Sequence, residues 1–355
     1  MVMRFRELHI DTLNGYRRTL SGVYAPDREM VGKMLQQRMI GPDEKYPYMP
    51  QGREIEFIDR AIRIGQPILL LGPTGVGKTM LAKKIAQEKK LPYLEIVCHG
   101  DLTVGQMKGT TDVSFVPVEI GGRIETVQIK TLIPKEEALA GLAGEAGKPV
   151  LLLIDEVHEI RKVIRSVLHT LTFGRYVNMA DVTGERNMLH PESIVMLAAN
   201  PDYDVDIPAV LGPPLMARLK TLNLGYIVDK DKLIEIVFAN IPNASSIARD
   251  VETLSRKVSA MTKFCIGIRT SSGGGSGEFA SDRDVARIGA SIDSAGPMVK
   301  GNIVEAPSPR ALVQAVESML AGESMDDAIV HHLINTTARD LGSTANALLT
   351  AYRAV

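Results

Sequence analysis

Eight consecutive residues, Gly72, Pro73, Thr74, Gly75, Val76, Gly77, Lys78 and Thr79, fit the pattern G-x-x-x-x-G-K-[ST]. The residue types follow from the chemistry of holding phosphate. Glycines let a backbone curl around an anion and aim its N–H groups inward. Lys78 reaches β- and γ-phosphates as a point charge, and Thr79 offers a hydroxyl to Mg²⁺. Met80 continues into a helix whose positive end adds to the anion field. A second pair of groups closes the run LLLIDE, 77 residues after Lys78. Asp155, at a strand's carboxyl end, is placed to hold Mg²⁺, and Glu156 to orient and deprotonate an attacking water. Asn200, before Pro201, ends a third apolar run, where a polar side chain can lie beside a γ-phosphate or a hydrolytic water.

These groups need strands to carry them. PILLLG, LPYLEIVC, PVLLLIDE and SIVMLAANP are short apolar runs separated by helical patterns. PVLLLIDE is apolar on both faces, as a central parallel strand should be, and strands alternating with helices imply a parallel α/β sheet covered on both sides. Residues 53–64 place Ile55, Ile58 and Ile62 on one helical face, and helices are expected at 135–146 and about 160–173. The stretch 112–130 is rich in β-branched residues around Gly121-Gly122, a hairpin signal, and RYVNMADVTGERNML reads as a second hairpin turning near Gly184. Residues 1–50 read as a polar N-terminal extension with some helix, and 51–226 as the α/β core. Beyond that, 227–355 reads as a helical lid domain with a glycine-rich loop at 271–279.

Composition narrows the classes. The 355 residues are 45% hydrophobic and 23% charged, with net charge −1, enough apolar material for a core without staples. No apolar run approaches the roughly 18–20 residues that span a bilayer. Neutral charge, no tryptophan and 5% aromatics weigh against nucleic acid as a partner. Cys98 and Cys265 stand far apart without a partner motif, so neither a disulfide framework nor a zinc site is expected. The start, MVMRFRELHI, is too charged for a secretory signal, and the cysteine usage fits a reducing cytoplasm. Cys98-His99 and His331-His332 read as structural, because no further ligands lie at metal spacing.

Taken together, the loop at 72–79, Asp155-Glu156 and Asn200-Pro201 resemble an AAA+ ATPase, a P-loop NTPase with a helical lid. CHGDLTVGQMKG, the hairpin after it and DEVHEIR resemble the MoxR branch, and within it the CbbQ/NorQ group. HPESIVMLAANPDY is similar to that group's stretch around the third strand. The resemblance implies ATP or ADP with Mg²⁺, a homo-oligomeric ring (commonly a hexamer), and nucleotide held between neighbours. It implies a chaperone or activator that remodels a protein target, often with a von Willebrand A-domain partner. LGPPLMARL resembles the segment ending in the arginine finger and puts Arg218 there, with Lys220 a competitor. APSPRAL resembles the sensor-2 motif and puts Arg310 there. An arginine suits both places because its fixed, always-charged fork matches charge spread over phosphate oxygens. Leu219 stands where the family often has Phe, and the hairpin at 112–130 falls on the helix-2 insert, facing a pore or a partner. Two other readings stay open: an AAA+ nucleic-acid motor, and a nucleotide-gated assembly module with little turnover. A GTPase is disfavoured, since no N-K-x-D motif is present.

Overall fold

The computed structural model describes residues 12–13, 15–41, 48–50, 52–120, 123–201, 206–227, 229–241, 251–271, 283–295, 303, 306–338 and 343–353. The chain divides into two compact units. One comprises residues 1–46, 53–71 and 79–222, the other 47–52, 72–78 and 223–355.

In the first unit, the four apolar runs are strands of one sheet: β4 (Ile68–Leu71), β5 (Tyr93–Val97), β8 (Leu151–Asp155) and β11 (Ile194–Ala199). With β12 (Lys220–Asn223) they stand in the order β12-β4-β11-β8-β5. The pairs β4–β11, β11–β8 and β8–β5 are parallel, with Met196 opposite Ile68 and Ile194 opposite Leu151. Every residue of β8 and β11 is buried, as expected for central parallel strands covered on both faces. This is the α/β P-loop architecture read from the sequence. Helix α3 (Lys78–Glu88) follows the glycine loop, α2 (Glu54–Arg63) carries the face of Ile58, and α4 (Val104–Lys108), α7 (Ile207–Leu211) and α8 (Pro213–Met216) are short helices of the same unit.

A second sheet flanks this core. The expected hairpin is longer than 112–130: β6 (Gly109–Ile120) and β7 (Arg123–Pro134) pair in register from Gly109 opposite Pro134 to Ile120 opposite Arg123. Its turn, Gly121-Gly122, lies outside the described residues. The N-terminal segment adds strands where the sequence pointed only to some helix. β1 (Thr12–Leu13), β2 (Tyr16–Arg18) and β3 (Tyr24–Pro26) extend the sheet to β1-β2-β3-β7-β6, joined at Tyr24 opposite Thr131. Helix α1 (Arg28–Gln36) follows, capped by the Asp27 carboxylate accepting from Met30 N at 2.9 Å. The second expected hairpin is β9 (Tyr176–Met179) with β10 (Glu185–Met188). The helix expected at 160–173 runs from Lys162 to His169 (α6) and then widens into a π turn, Thr170–Gly174.

The second unit is helical. α9 (Lys230–Asn240), α10 (Val251–Ser271), α11 (Arg283–Ser294), α12 (Pro309–Leu320), α13 (Met325–Ala328) and α14 (Ser343–Arg353) pack around Leu233, Met261, Phe264, Ile288, Leu312 and Leu348. Of the glycine-rich stretch, residues 272–279 lie outside the described residues. No helix among the described residues is long and apolar enough to cross a membrane.

Where the base of β6 and β7 meets the rest of the first unit, three ionisable side chains sit close together. Lys108 is buried and donates to Asp181 Oδ1 at 2.7 Å. Glu137, in α5 (Glu136–Glu145), is buried with its Oε2 unpartnered. Desolvation pushes its carboxyl from the ordinary 4.5 up to about 7. Lys108 partly opposes that shift, and Asp181 adds to it. A carboxyl whose folded pKa is raised binds its proton more tightly when folded. Its contribution is therefore present below about pH 4.5 and is lost as pH rises through about 7. Glu137→Gln should flatten the loss of stability over that window, by on the order of 3 kcal/mol. Urea titrations across pH 5 to 8 check this, and an unchanged pH slope would refute it.

Candidate functional site

The glycine loop, Gly72–Gly77, connects β4 to α3, and its contacts place it in the second unit. Gly75 and Gly77 take φ +74° and +101°, the left-handed region that bulkier residues avoid. Lys78 is buried, and its Nζ donates to Gly72 O at 2.7 Å and Pro73 O at 3.0 Å. A desolvated ammonium needs such acceptors. They keep a positive charge at the mouth of the loop, where a phosphate oxygen is the stronger acceptor. A Cβ on Gly75 would lie 2.6 Å from Ser308 Cβ and 3.9 Å from Arg310 Cβ. Ser308 caps α12, accepting from Ala311 N at 3.2 Å, and Arg310 is exposed in that helix's first turn. The loop and the first turn carrying Arg310 are thus neighbours.

Arg269 holds this arrangement from behind. It is fully buried in α10, and its Nε donates to Pro307 O at 3.1 Å while Nη1 donates to Ile227 O. Its side chain also lies 4.9 Å from the Tyr226 ring. Burial lowers its pKa. The sequence offers no sign of this role, because one arginine in a long amphipathic helix reads as part of the solvated face.

The first unit brings together a second group of side chains. Thr79 Oγ1 donates to Asp155 Oδ2 at 2.8 Å, and Glu156 N donates to Asp155 Oδ1 at 2.9 Å. A hydroxyl and a carboxylate this close are two hard oxygen ligands of the kind Mg²⁺ takes beside phosphate oxygens. These residues fit the ion. Glu156 itself sits at φ +54°, which turns it away from the line of β8. Asn200 Nδ2 donates to Glu156 Oε2 at 2.8 Å. His158, which sequence reasoning passed over, places Nδ1 3.4 Å from Glu156 Oε2 and accepts from Asn200 N at 3.4 Å. The electrostatics show in Cys98, whose backbone N donates to Asp155 O at 2.9 Å. Burial, with the charges of Asp155 and Glu156, pushes its thiol up to about 12. A divalent cation relieves such a concentration of negative charge.

Arg218 and Lys220 stand apart, both exposed. Among the described residues no hydrogen bond or ion pair joins either side chain to the Asp155–Glu156 cluster. Lys220 lies in β12, with its N donating to Pro67 O at 2.9 Å. The guanidinium carbon of Arg218 lies over the Phe173 ring, 3.0 Å from its centroid. His331 bonds Glu323, and His332 Nε2 lies 2.9 Å from Ser318 Oγ, both local contacts.

The family model for the AAA domain (dynein-related subfamily) matches residues 67–219. Protein NorQ from Paracoccus denitrificans is 30% identical over 179 residues, 50% of this chain and 60% of NorQ. Denitrification regulatory protein NirQ from Pseudomonas aeruginosa is 28% identical over 179 residues, 50% of this chain and 62% of NirQ. Protein CbbQ from Hydrogenophilus thermoluteolus is 28% identical over 156 residues, 44% of this chain and 52% of CbbQ. The chain spans less than two thirds of the length of each of these relatives.

Gly75→Ala should destabilise the chain by about 1–2 kcal/mol from backbone strain alone, with a further loss from the clash with Ser308. Adding Ser308→Gly should return only the second part. Chemical denaturation of the two single variants and the double variant checks this, and a neutral Gly75→Ala would contradict the loop geometry.

Proposed function

We propose that this chain, whose residues 67–219 are an AAA domain and which is related to NorQ, NirQ and CbbQ, is a Mg²⁺-dependent ATPase working as a homo-oligomeric ring. The observation that supports the reading is a pair of hydrogen bonds at the carboxyl end of the parallel sheet, Thr79 to Asp155 and Asn200 to Glu156. In this reading the first lies at the metal position and the second orients a base.

In this reading the N–H groups of Gly72–Gly77, with Pro73, Thr74, Val76 and Met80 around them, hold the phosphates of ATP. Lys78 neutralises the β- and γ-oxygens, and Thr79 and Asp155 hold Mg²⁺. When bound, the metal ion neutralises charge that develops on the phosphates. Glu156 takes the proton of the attacking water on a carboxylate oxygen. Asn200 fixes that carboxylate through its amide N–H, so the base does not swing toward bulk solvent. Arg310, beside the loop, supplies positive charge from the helical lid, and Arg218 supplies it to the nucleotide of a neighbouring subunit. A monomer then binds ATP and turns it over poorly.

For the cellular role we favour a chaperone or activator that uses turnover to remodel a protein target in the cytoplasm, in concert with a von Willebrand A-domain partner. The relatedness to NorQ, NirQ and CbbQ supports this. The hairpin β6–β7, with Val113, Phe115 and Ile124 exposed, is the surface we assign to that contact.

Glu156→Gln should keep ATP binding and lose turnover by roughly 10²–10⁴-fold, the range for removing a general base. Calorimetric binding and phosphate-release assays on the same preparation decide it, and full turnover would remove the base assignment. The same variant should retain its protein target in a pull-down with ATP. Arg218→Ala should bind nucleotide normally and lose turnover in the assembled protein. Persistent activity would shift the finger to Lys220.

A further inference from the structure

The π turn that ends α6 has no role in the ATPase chemistry set out above, yet it is firmly built. Thr170 Oγ1 donates to Val167 O at 2.9 Å, and Thr172 Oγ1 donates to Leu168 O at 2.7 Å. Gly174 admits no side chain, since a Cβ there would lie 2.3 Å from the Tyr176 ring. Arg175 follows at φ +51°, and its Nη2 donates to His190 O, Pro191 O and Ser193 O at 3.0, 3.1 and 2.8 Å. A π turn costs hydrogen-bond geometry and is found disproportionately at functional places. Here it presents Phe173, whose ring packs against the core on one side and 5.7 Å from the His169 ring. Its other neighbour is the Arg218 guanidinium.

We propose that Phe173 is a positioning residue for Arg218, holding the guanidinium plane so that its N–H groups face outward toward the phosphates of an adjacent subunit. The inference rests on the finger reading of Arg218. An ion pair would also hold an arginine, but it would occupy the donors needed for phosphate. Stacking uses only the flat face of the guanidinium and leaves its five in-plane donors unspent. Among the described residues no carboxylate bonds to Arg218, although it is exposed and charged. Leu219, next to Arg218 in sequence, is buried in the core, and the ring beside the guanidinium comes from a different element. Lys220, the competing cation, has no aromatic partner among the described residues.

The test uses the full chain, with steady-state phosphate release, ATP affinity by calorimetry and a thermal melt for every variant. Phe173→Leu should lower kcat by roughly 5- to 30-fold, the factor a lost cation–π contact corresponds to, with ATP affinity unchanged. Phe173→Trp should keep kcat within about 3-fold, since tryptophan stacks at least as well. If Phe173→Leu does not fold, Phe173→Met replaces it, keeping a flexible apolar side chain without a ring. Subunit mixing separates positioning from general support. A Phe173→Leu chain keeps its own nucleotide loop, and a Lys78→Ala chain keeps its own Phe173 and Arg218. Mixing the two should restore turnover above the sum of the separate preparations. Arg218→Ala mixed with Lys78→Ala is the control. An unchanged kcat in Phe173→Leu, an equal loss in Phe173→Trp, or no gain on mixing while the control gains, would each overturn the inference. A control that fails to gain, or full turnover in Arg218→Ala alone, would instead overturn the finger assignment beneath it.

Discussion

One hydrogen bond, from the Thr79 hydroxyl to the Asp155 carboxylate at 2.8 Å, sets the terms for the rest of the first unit. Its two residues follow strands that are not neighbours, because β11 runs between β4 and β8. Strands lie about 4.8 Å apart, so the two backbones are separated by roughly 10 Å and only side chains leaning inward can meet. The strand in between delivers Asn200 at the same end of the sheet, within reach of Glu156. A one-residue slip of β8 would turn Asp155 to the opposite face and break the contact. The continuous burial of β8 and β11 does not by itself prevent that slip, because both faces are apolar. Register is set instead by paired positions such as Ile194 opposite Leu151, and by the polar residues at the strand ends.

The same crowding creates an electrostatic problem. Asp155 and Glu156 are adjacent in sequence, and two carboxylates on one strand end repel each other. The left-handed backbone of Glu156 is one answer, directing its side chain to Asn200 and His158 while Asp155 turns to Thr79. A non-glycine residue at φ +54° carries a strain that persists only where the surroundings over-determine it. Here the Glu156 N–H bonded to Asp155 Oδ1 and the Asn200 amide do so together. What remains is net negative charge, felt by the buried Cys98 thiol.

The sequence carried the central sheet because its strands announce themselves locally. Four apolar residues before a glycine loop, or before two acids, have few other uses. The loop itself was legible for a similar reason: only glycine tolerates the φ of positions 75 and 77. The N-terminal strands were not, since they are runs of two or three residues and join the sheet only through β3, whose Tyr24 pairs with Thr131 of β7 more than a hundred residues away. Arg269 and Phe173 were also hidden. Burial of Arg269 goes with the carbonyls that Pro307 and Ile227 offer, and Phe173 meets Arg218 from within the π turn that follows α6. Neither condition leaves a local pattern. The longer hairpin, beginning at Gly109 instead of 112, shows the usual weakness at element ends, where pairing and not composition decides.

Two buried cations of the second unit, Lys78 and Arg269, are satisfied in the same way, by backbone carbonyls. Carbonyl dipoles stabilise a buried cation without adding a competing negative charge, so the cation keeps its pull on an anion. For Lys78 that anion is phosphate, in the reading proposed above. For Arg269 the consequence is mechanical. Its bonds to Pro307 and Ile227 brace the segment that leads into Ser308 and Arg310, and Ser308 lies against Gly75. The glycine loop therefore packs on the same helical framework that carries Arg310, although the chain runs directly from it into α3. In the proposed reading, a phosphate that rearranged the loop would press on Ser308, at the start of the helix whose entry Arg269 braces, so the loop's own packing ties a bound phosphate to the helical framework.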